Sequence, residues 1–254
     1  MKTLAELAES LDALLDVRAI PDDSKNGLQV EGRREVRRIA FALDACLETI
    51  REAAARQADL LVVHHGLLWK EMLRACGTHG ARLAACFTSG LSLYAVHLPL
   101  DAHTSLGNNV SLIEDAGFVP FPKRIIDYHG YCIGYLGECA DGLSIEAICA
   151  NLERTLFCRP SRILGAHEGK LYKKAAAVSG GALFYAEEAA RAGAELYITG
   201  EGSHSAYHQA IECGITTLIY GHYTSEMIGI RRLEKYCRGN FGLETTIIDC
   251  PTGY

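Results

Sequence analysis

The chain has 254 residues, 49% apolar and 22% charged, enough for one large domain or two smaller ones around a sizeable core. Its formal net charge of −6 disfavours an electrostatic grip on nucleic acid. No window approaches the apolar run that a membrane span needs, and the N-terminus lacks a secretory pattern, so a cytoplasmic setting is expected.

Leu4, Leu7, Leu11, Leu14 and Leu15 follow the spacing of an amphipathic helix. A short glycine-bracketed segment, Asn26-Gly27-Leu28-Gln29-Val30-Glu31-Gly32, comes next. Residues 38–43 read as a strand and 44–56, rich in Ala, Leu and Glu, as a helix. Ala58-Asp59-Leu60-Leu61-Val62-Val63 reads as a buried strand that ends in His64-His65-Gly66. Adjacent side chains on a strand point to opposite faces, so both histidines share a site only if the backbone bends, which Gly66 permits. A helix over 83–89 and a strand over 91–96 lead to His97-Leu98-Pro99-Leu100-Asp101-Ala102-His103. Strands alternating with helices imply an α/β layer structure with a largely parallel or mixed sheet. Ten cysteines without a C-x-x-C pair read as reduced, mostly buried thiols.

The second half repeats the first. Residues 38–66 align over 174–202 without a gap, which sets Ala58-Asp59-Leu60 on Ala194-Glu195-Leu196 and His64-His65-Gly66 on Gly200-Glu201-Gly202. Residues 90–96 have their counterpart in 214–220. The expected fold is α/β with two duplicated, intertwined repeats, 1–125 and 126–254. Strand ends from both halves would then serve one site.

Imidazole and carboxylate groups gather at those strand ends: His64, His65, Asp101 and, in Gly221-His222-Tyr223-Thr224-Ser225-Glu226, His222 and Glu226. If a helix starts there, His222 and Glu226 stand one turn apart on one face, with Thr224 or Ser225 as its cap and Met227, Ile228, Ile230 and Leu233 as its buried side. This donor set suits divalent metals.

In order along the chain, Asn26–Gly32, His64-His65-Gly66 with Trp69-Lys70, His97 to His103, Gly107-Asn108-Asn109, Thr199-Gly200-Glu201 and Gly221 to Glu226 resemble the motifs of the YbgI/Nif-three-like proteins, often labelled GTP cyclohydrolase 1 type 2 homologues. The resemblance runs nearly the whole chain. It implies two intertwined repeats, a two-metal centre, and a homohexameric ring. It also implies His64, His65, Asp101, His222 and Glu226 as ligands of two divalent ions (Zn, Mn, Fe or Ni), with Glu226 as the bridge. Within such a centre, His64 and His222 are expected to serve one ion and His65 and Asp101 the other. His97 and Glu201 are the candidates to orient a ligand or move a proton.

The expected function is a metal-dependent hydrolase of the GTP cyclohydrolase type, acting on a nucleotide or related phosphorylated or heterocyclic small molecule. The alternatives are a non-catalytic protein that binds or delivers metal, or a ring-shaped interaction scaffold. Other features carry less. His103 is placed to bond Asp101, His204 and His208 share what reads as a solvated helix face, and Trp69-Lys70 reads as a core tryptophan with an exposed neighbour or, in the alternative, as a wall and a cation at the pocket mouth. Gly165 to Lys170 is too short for a phosphate loop and lacks the Ser/Thr after lysine.

Overall fold

The structure, a computed structural model, describes residues 2–71 and 73–254. The chain opens with β1 (Lys2–Thr3) and α1 (Leu4–Leu15), where Leu4, Leu7, Leu11 and Leu15 are buried as the spacing predicts. Thr3 and Glu6 cap α1 reciprocally. Next come β2 (Gly27–Val30), β3 (Glu35–Val36), β4 (Arg38–Asp44), α2 (Leu47–Ala55), β5 (Leu60–His65), α3 (Gly77–Ser89), β6 (Ser92–Ala95) and the single turn α4 (Leu98–Asp101). After α5 (Asn108–Ala116), a long hairpin of β7 (Val119–Tyr128) and β8 (Tyr131–Ser144) turns at His129-Gly130, both at positive φ. The chain continues through α6 (Ile145–Leu156), β9 (Arg162–Leu164), β10 (Leu171–Val178), α7 (Ala186–Arg191), β11 (Leu196–Thr199), α8 (His204–Glu212) and β12 (Thr216–Ile219). It ends with α9 (His222–Phe241) and β13 (Glu244–Ile247).

Three expected boundaries shift. The helix expected over 44–56 begins at Leu47, because Asp44 still pairs with His65 in the sheet and Cys46 is the cap. The helix expected over 83–89 starts at Gly77. The strand expected over 91–96 spans Ser92–Ala95. Among the described residues, no helix is long and apolar enough to cross a membrane.

The chain forms two compact units, Met1–Leu100 with Ile230–Cys250 and Asp101–Gly229 with Pro251–Tyr254. The first holds a five-stranded sheet in the order β13-β4-β5-β6-β2, parallel except for β2. The strands β4, β5 and β6 are covered on both faces, which is why they read as apolar runs rather than alternating patterns. Ala42, Val63, Leu93 and Ile50 of α2 lie in one core cluster here. The second unit holds a six-stranded sheet, β7-β8-β10-β11-β12-β9, in which β10, β11 and β12 are parallel and the others antiparallel. Its core joins Val110 and Ile113 of α5, Ile148 and Leu152 of α6, and Leu196, Ile198 and Leu218 of the sheet.

The duplication holds at the level of register. Ile39 pairs with Leu60 and Leu60 with Ser92; in the second unit Ala175 pairs with Leu196 and Leu196 with Thr216. Ile39 and Ala175, like Leu60 and Leu196, are equated by the ungapped alignment, and Ser92 and Thr216 by the match of 90–96 to 214–220. Even the anchoring carboxylates repeat. Asp59 accepts from the backbone N–H groups of Arg37 and Arg38, and Glu195 from those of Lys173 and Lys174.

All ten cysteines are free thiols. Only Cys86, Cys149 and Cys237 are buried, which corrects the expectation that most would be. Cys46 and Cys76 occupy helix N-caps and Cys132 lies in the β7–β8 hairpin, positions that open to solvent.

Candidate metal-binding clusters

In the first unit, the carboxyl ends of three neighbouring strands carry the chemistry. His64 and His65 are the last two residues of β5, which stops before Gly66 as expected. Their rings nonetheless lie 4.7 Å apart between centroids. Each is held from a different flank. His64, fully buried, donates from Nδ1 to the Val96 carbonyl beyond β6 at 2.9 Å. His65 donates from Nδ1 to Asp44 Oδ1 at the end of β4 at 2.8 Å. The turn role expected of Gly66 is instead one of close packing, since a Cβ there would collide with Gln29 and Ala95. Gln29 Oε1 meanwhile accepts from the N–H groups of Leu67 and Leu68.

His97 joins this pair, with its ring 5.1 Å from that of His64 and 5.6 Å from that of His65. Ligating nitrogens of His64, His65 and His97 lie within 4.8 Å of one another, a group that can hold a metal ion. His97 Nδ1 is bonded to Asp22 Oδ1 at 3.0 Å. Asp22 also accepts from the N–H groups of Ser24 and Leu98 and from Asn26 Nδ2. Burial opposes its charge, but the hydrogen bond and charge of His97, with those donors, hold the carboxyl down to about 2. Trp69 is a wall of the cluster rather than a core residue: its ring meets that of His97 edge-on at 5.1 Å, and Nε1 donates to the Gly66 carbonyl. Lys70 is exposed and reaches Asp23 at 3.6 Å.

In the second unit, Asp101 and Glu226 are both buried, at 5% and 4% exposure, and carboxylate oxygens of the two lie within 4.8 Å. Two like charges that close and that deeply buried call for a cation or shared protons. Asp101 Oδ1 accepts from Asn108 Nδ2 at 2.8 Å and from Ser179 Oγ at 2.9 Å. His222 Nε2 stands 3.2 Å from Glu226 Oε2 across one turn of α9, the spacing the sequence predicts. On its other side His222 Nδ1 is bonded to Glu201 Oε2 at 2.9 Å. The Glu226 hydrogen bond, aided by Glu201 and opposed by burial, pushes His222 up to about 9. A divalent ion would take the place of that proton.

The approach of the segment after β10 to the start of α9 depends on Gly180, whose φ is +65° and whose missing Cβ leaves room for Glu226 Oε1. Ser225 is not the helix cap. It lies inside the first turn, donating to the His222 carbonyl and accepting from Gly180 N–H. The expected buried side of α9 is present, with Met227, Ile228, Ile230 and Leu233 all buried.

Four imidazoles therefore share one pattern: Nδ1 of His64, His65, His97 and His222 is engaged by Val96, Asp44, Asp22 and Glu201 respectively. Such partners fix the ring and its tautomer, which leaves Nε2 as the nitrogen each ring presents to a metal. The donor chemistry and the buried carboxylate pair fit divalent ions.

Asp22, Asp44, Asn108 and Ser179 support these groups, and the sequence reading does not single out any of them for it. Asp44 is within its reach, since a place at the end of β4, beside the histidine strand, is visible once the strand is recognised. Asp22 sits in an irregular loop with no periodicity to flag it. His103 Nδ1 accepts from the N–H groups of Ser105 and Leu106, a local turn. Gly165 to Lys170 connects β9 to β10 with no helix behind it, so it has no phosphate-loop geometry.

A family model for Duf34/NIF3 (NGG1p interacting factor 3) matches residues 2–252. A curated protein of Pyrococcus abyssi named "GTP cyclohydrolase 1 type 2 homolog" is 41% identical over 98% of both chains, and one of Pseudomonas aeruginosa with the same name is 36% identical over 98% and 97%. Among solved structures, "protein ybgI, unknown function" is 32% identical with a TM-score of 0.89, covering 100% of both chains. TTHA1606 from Thermus thermophilus is 34% identical with a TM-score of 0.83, covering 99% and 100%. The chain belongs to the Duf34/NIF3 family.

Proposed function

We propose that this protein is a dinuclear metal-dependent hydrolase acting on a nucleotide or a related phosphorylated or heterocyclic compound. In this reading His64, His65, Asp101, His222 and Glu226 would hold two divalent ions. The observation that carries it is the common engagement of Nδ1 in His64, His65, His97 and His222 by a backbone carbonyl or carboxylate. A ring whose Nδ1 is already engaged presents Nε2 as its open nitrogen, the arrangement that metal-ligating histidines have. The relatives named GTP cyclohydrolase 1 type 2 homolog support the substrate class.

When bound, divalent ions supply Lewis acidity and lower the pKa of water to near neutrality. The chain's own residues do the rest. Asp44, Asp22 and Glu201 fix the imidazoles, Asn108 and Ser179 hold Asp101 in one rotamer, and the burial of Glu226 keeps water from competing for it. His97, backed by Asp22, is placed either to donate to a metal or to carry a proton at Nε2. Zn, Mn, Fe and Ni all suit this donor set. Assembly as a homohexameric ring in the cytoplasm belongs to the same reading.

The test is hydrolysis of nucleotide and phosphoester panels by protein loaded with each metal in turn, beside a chelated control. Metal-dependent turnover that is lost in Glu226→Ala supports the proposal. Two tightly bound ions with no turnover on any panel favour the alternative, a protein that holds or delivers metal.

A further inference from the structure

A cavity of about 1000 Å³ opens in the second unit beside Glu201, within the size range of small-molecule sites. Neither His222 nor Glu226 lines it; the cavity is a neighbour of the candidate ligands, joined to them by the Glu201–His222 hydrogen bond. Its walls come from separate parts of the sequence. His204, Tyr207 and His208 stand at i, i+3 and i+4 on α8 and so share the face turned to it. That face is exposed, as expected, but it faces a concavity rather than open solvent. Arg159 and Arg162 come from the loop before β9 and from its first residue, which pairs with Ile219 at the end of β12.

The cationic side chains on these walls are Arg159 and Arg162, beside the imidazoles of His204 and His208, and the Glu201 side chain is the carboxylate at the side nearest His222. Arg159 spends its Nε on Glu153 at 3.1 Å, and its guanidinium carries further donors. Planar guanidinium groups suit phosphate oxygens, and Ser203, the N-cap of α8, lines the same space. Tyr207, 39% exposed, offers an aromatic face to a ring.

We infer that this cavity binds a phosphate ester of an aromatic compound, with its phosphate on Arg159 and Arg162 and its ring against Tyr207. The inference deepens the proposed hydrolase by giving its substrate a seat in the second unit, and it rests on that reading only for the link to turnover. Binding itself does not require a metal.

The experiment is calorimetric titration of adenosine 5′-monophosphate, adenosine and inorganic phosphate into the full chain, as purified and after chelation. The same titrations are run on Arg162→Gln, Arg159→Gln and Tyr207→Leu, with circular dichroism to confirm their fold. The expected result is saturable binding of the monophosphate with and without metal, competition by inorganic phosphate, and roughly tenfold weaker binding in each arginine variant. Tyr207→Leu is expected to weaken the monophosphate but not inorganic phosphate. Binding that vanishes on chelation and ignores the arginine variants would place the ligand on the metals and overturn the cavity site while upholding the hydrolase. No saturable binding in either state would also overturn the cavity site, and metal content would then judge the hydrolase separately.

Discussion

His222 and Glu201 form a hydrogen bond of 2.9 Å, and this bond decides which edge of the imidazole meets Glu226. Nδ1 is committed to Glu201, so Nε2 is the atom turned to Glu226 at 3.2 Å. Glu201 occupies the position that the internal repeat sets on His65. One unit thus uses that strand end for an imidazole and the other for the carboxylate that orients one.

Glu201→Ala is therefore expected to weaken metal binding by about 10- to 100-fold, with little change in thermal stability of the metal-free protein. Titration against a chromophoric chelator measures the affinity. Glu201→Gln, which keeps an acceptor, should restore part of it. Equal affinities for wild type and Glu201→Ala would remove the orienting role.

Asp22 is expected to matter for stability through pH. Its side chain is 3% exposed, and its pKa falls from 3.8 to about 2 on folding. A depressed carboxylate stabilises the fold above its unfolded value, and that stability is lost as pH falls through its folded value. The contribution is about 2 kcal/mol near neutrality, lost between roughly pH 4 and pH 2. Asp22→Asn should lower stability at pH 7 by about that amount and flatten the acid limb of the profile. Urea unfolding across pH reads both, and an unchanged acid limb would count against the assignment.

Gly180→Ala tests the packing of the segment after β10 on the start of α9. The position has φ +65°, and an added Cβ would meet Glu226 Oε1. A loss of about 1–3 kcal/mol is expected from strain and crowding together, with reduced metal retention. A variant as stable as the wild type, with full metal content, would show that the helix does not depend on this close approach.

His97→Ala separates its two roles. Metal analysis and turnover on the same preparation read it: full metal with lost turnover marks a proton carrier, and fewer ions mark a ligand. Full metal with lost turnover is the expected result, because His97 stands outside the five proposed ligands.

Much of this was legible in the sequence because duplication and strand periodicity are local signals. The equivalence of the pairings Ile39–Leu60 and Ala175–Leu196 follows from the ungapped alignment, and the buried side of α9 follows from its helical spacing. The residues that orient the histidines were less so. Asp22 reaches His97 across a loop, and Ser179 reaches Asp101 across 78 positions, contacts that no periodicity encodes. His204 and His208 read as a solvated face because exposure and concavity look alike in a pattern of polar residues. Only the placement of α8 beside β9 and Glu201 turns that face into a cavity wall.

Metal content reports on the proposed two-ion centre without reference to any substrate. Elemental analysis of protein purified without added metal, for wild type beside Glu226→Ala, is expected to give two divalent ions per chain in the wild type and fewer in the variant. A wild type that holds no divalent ion and gains none on titration would contradict the account.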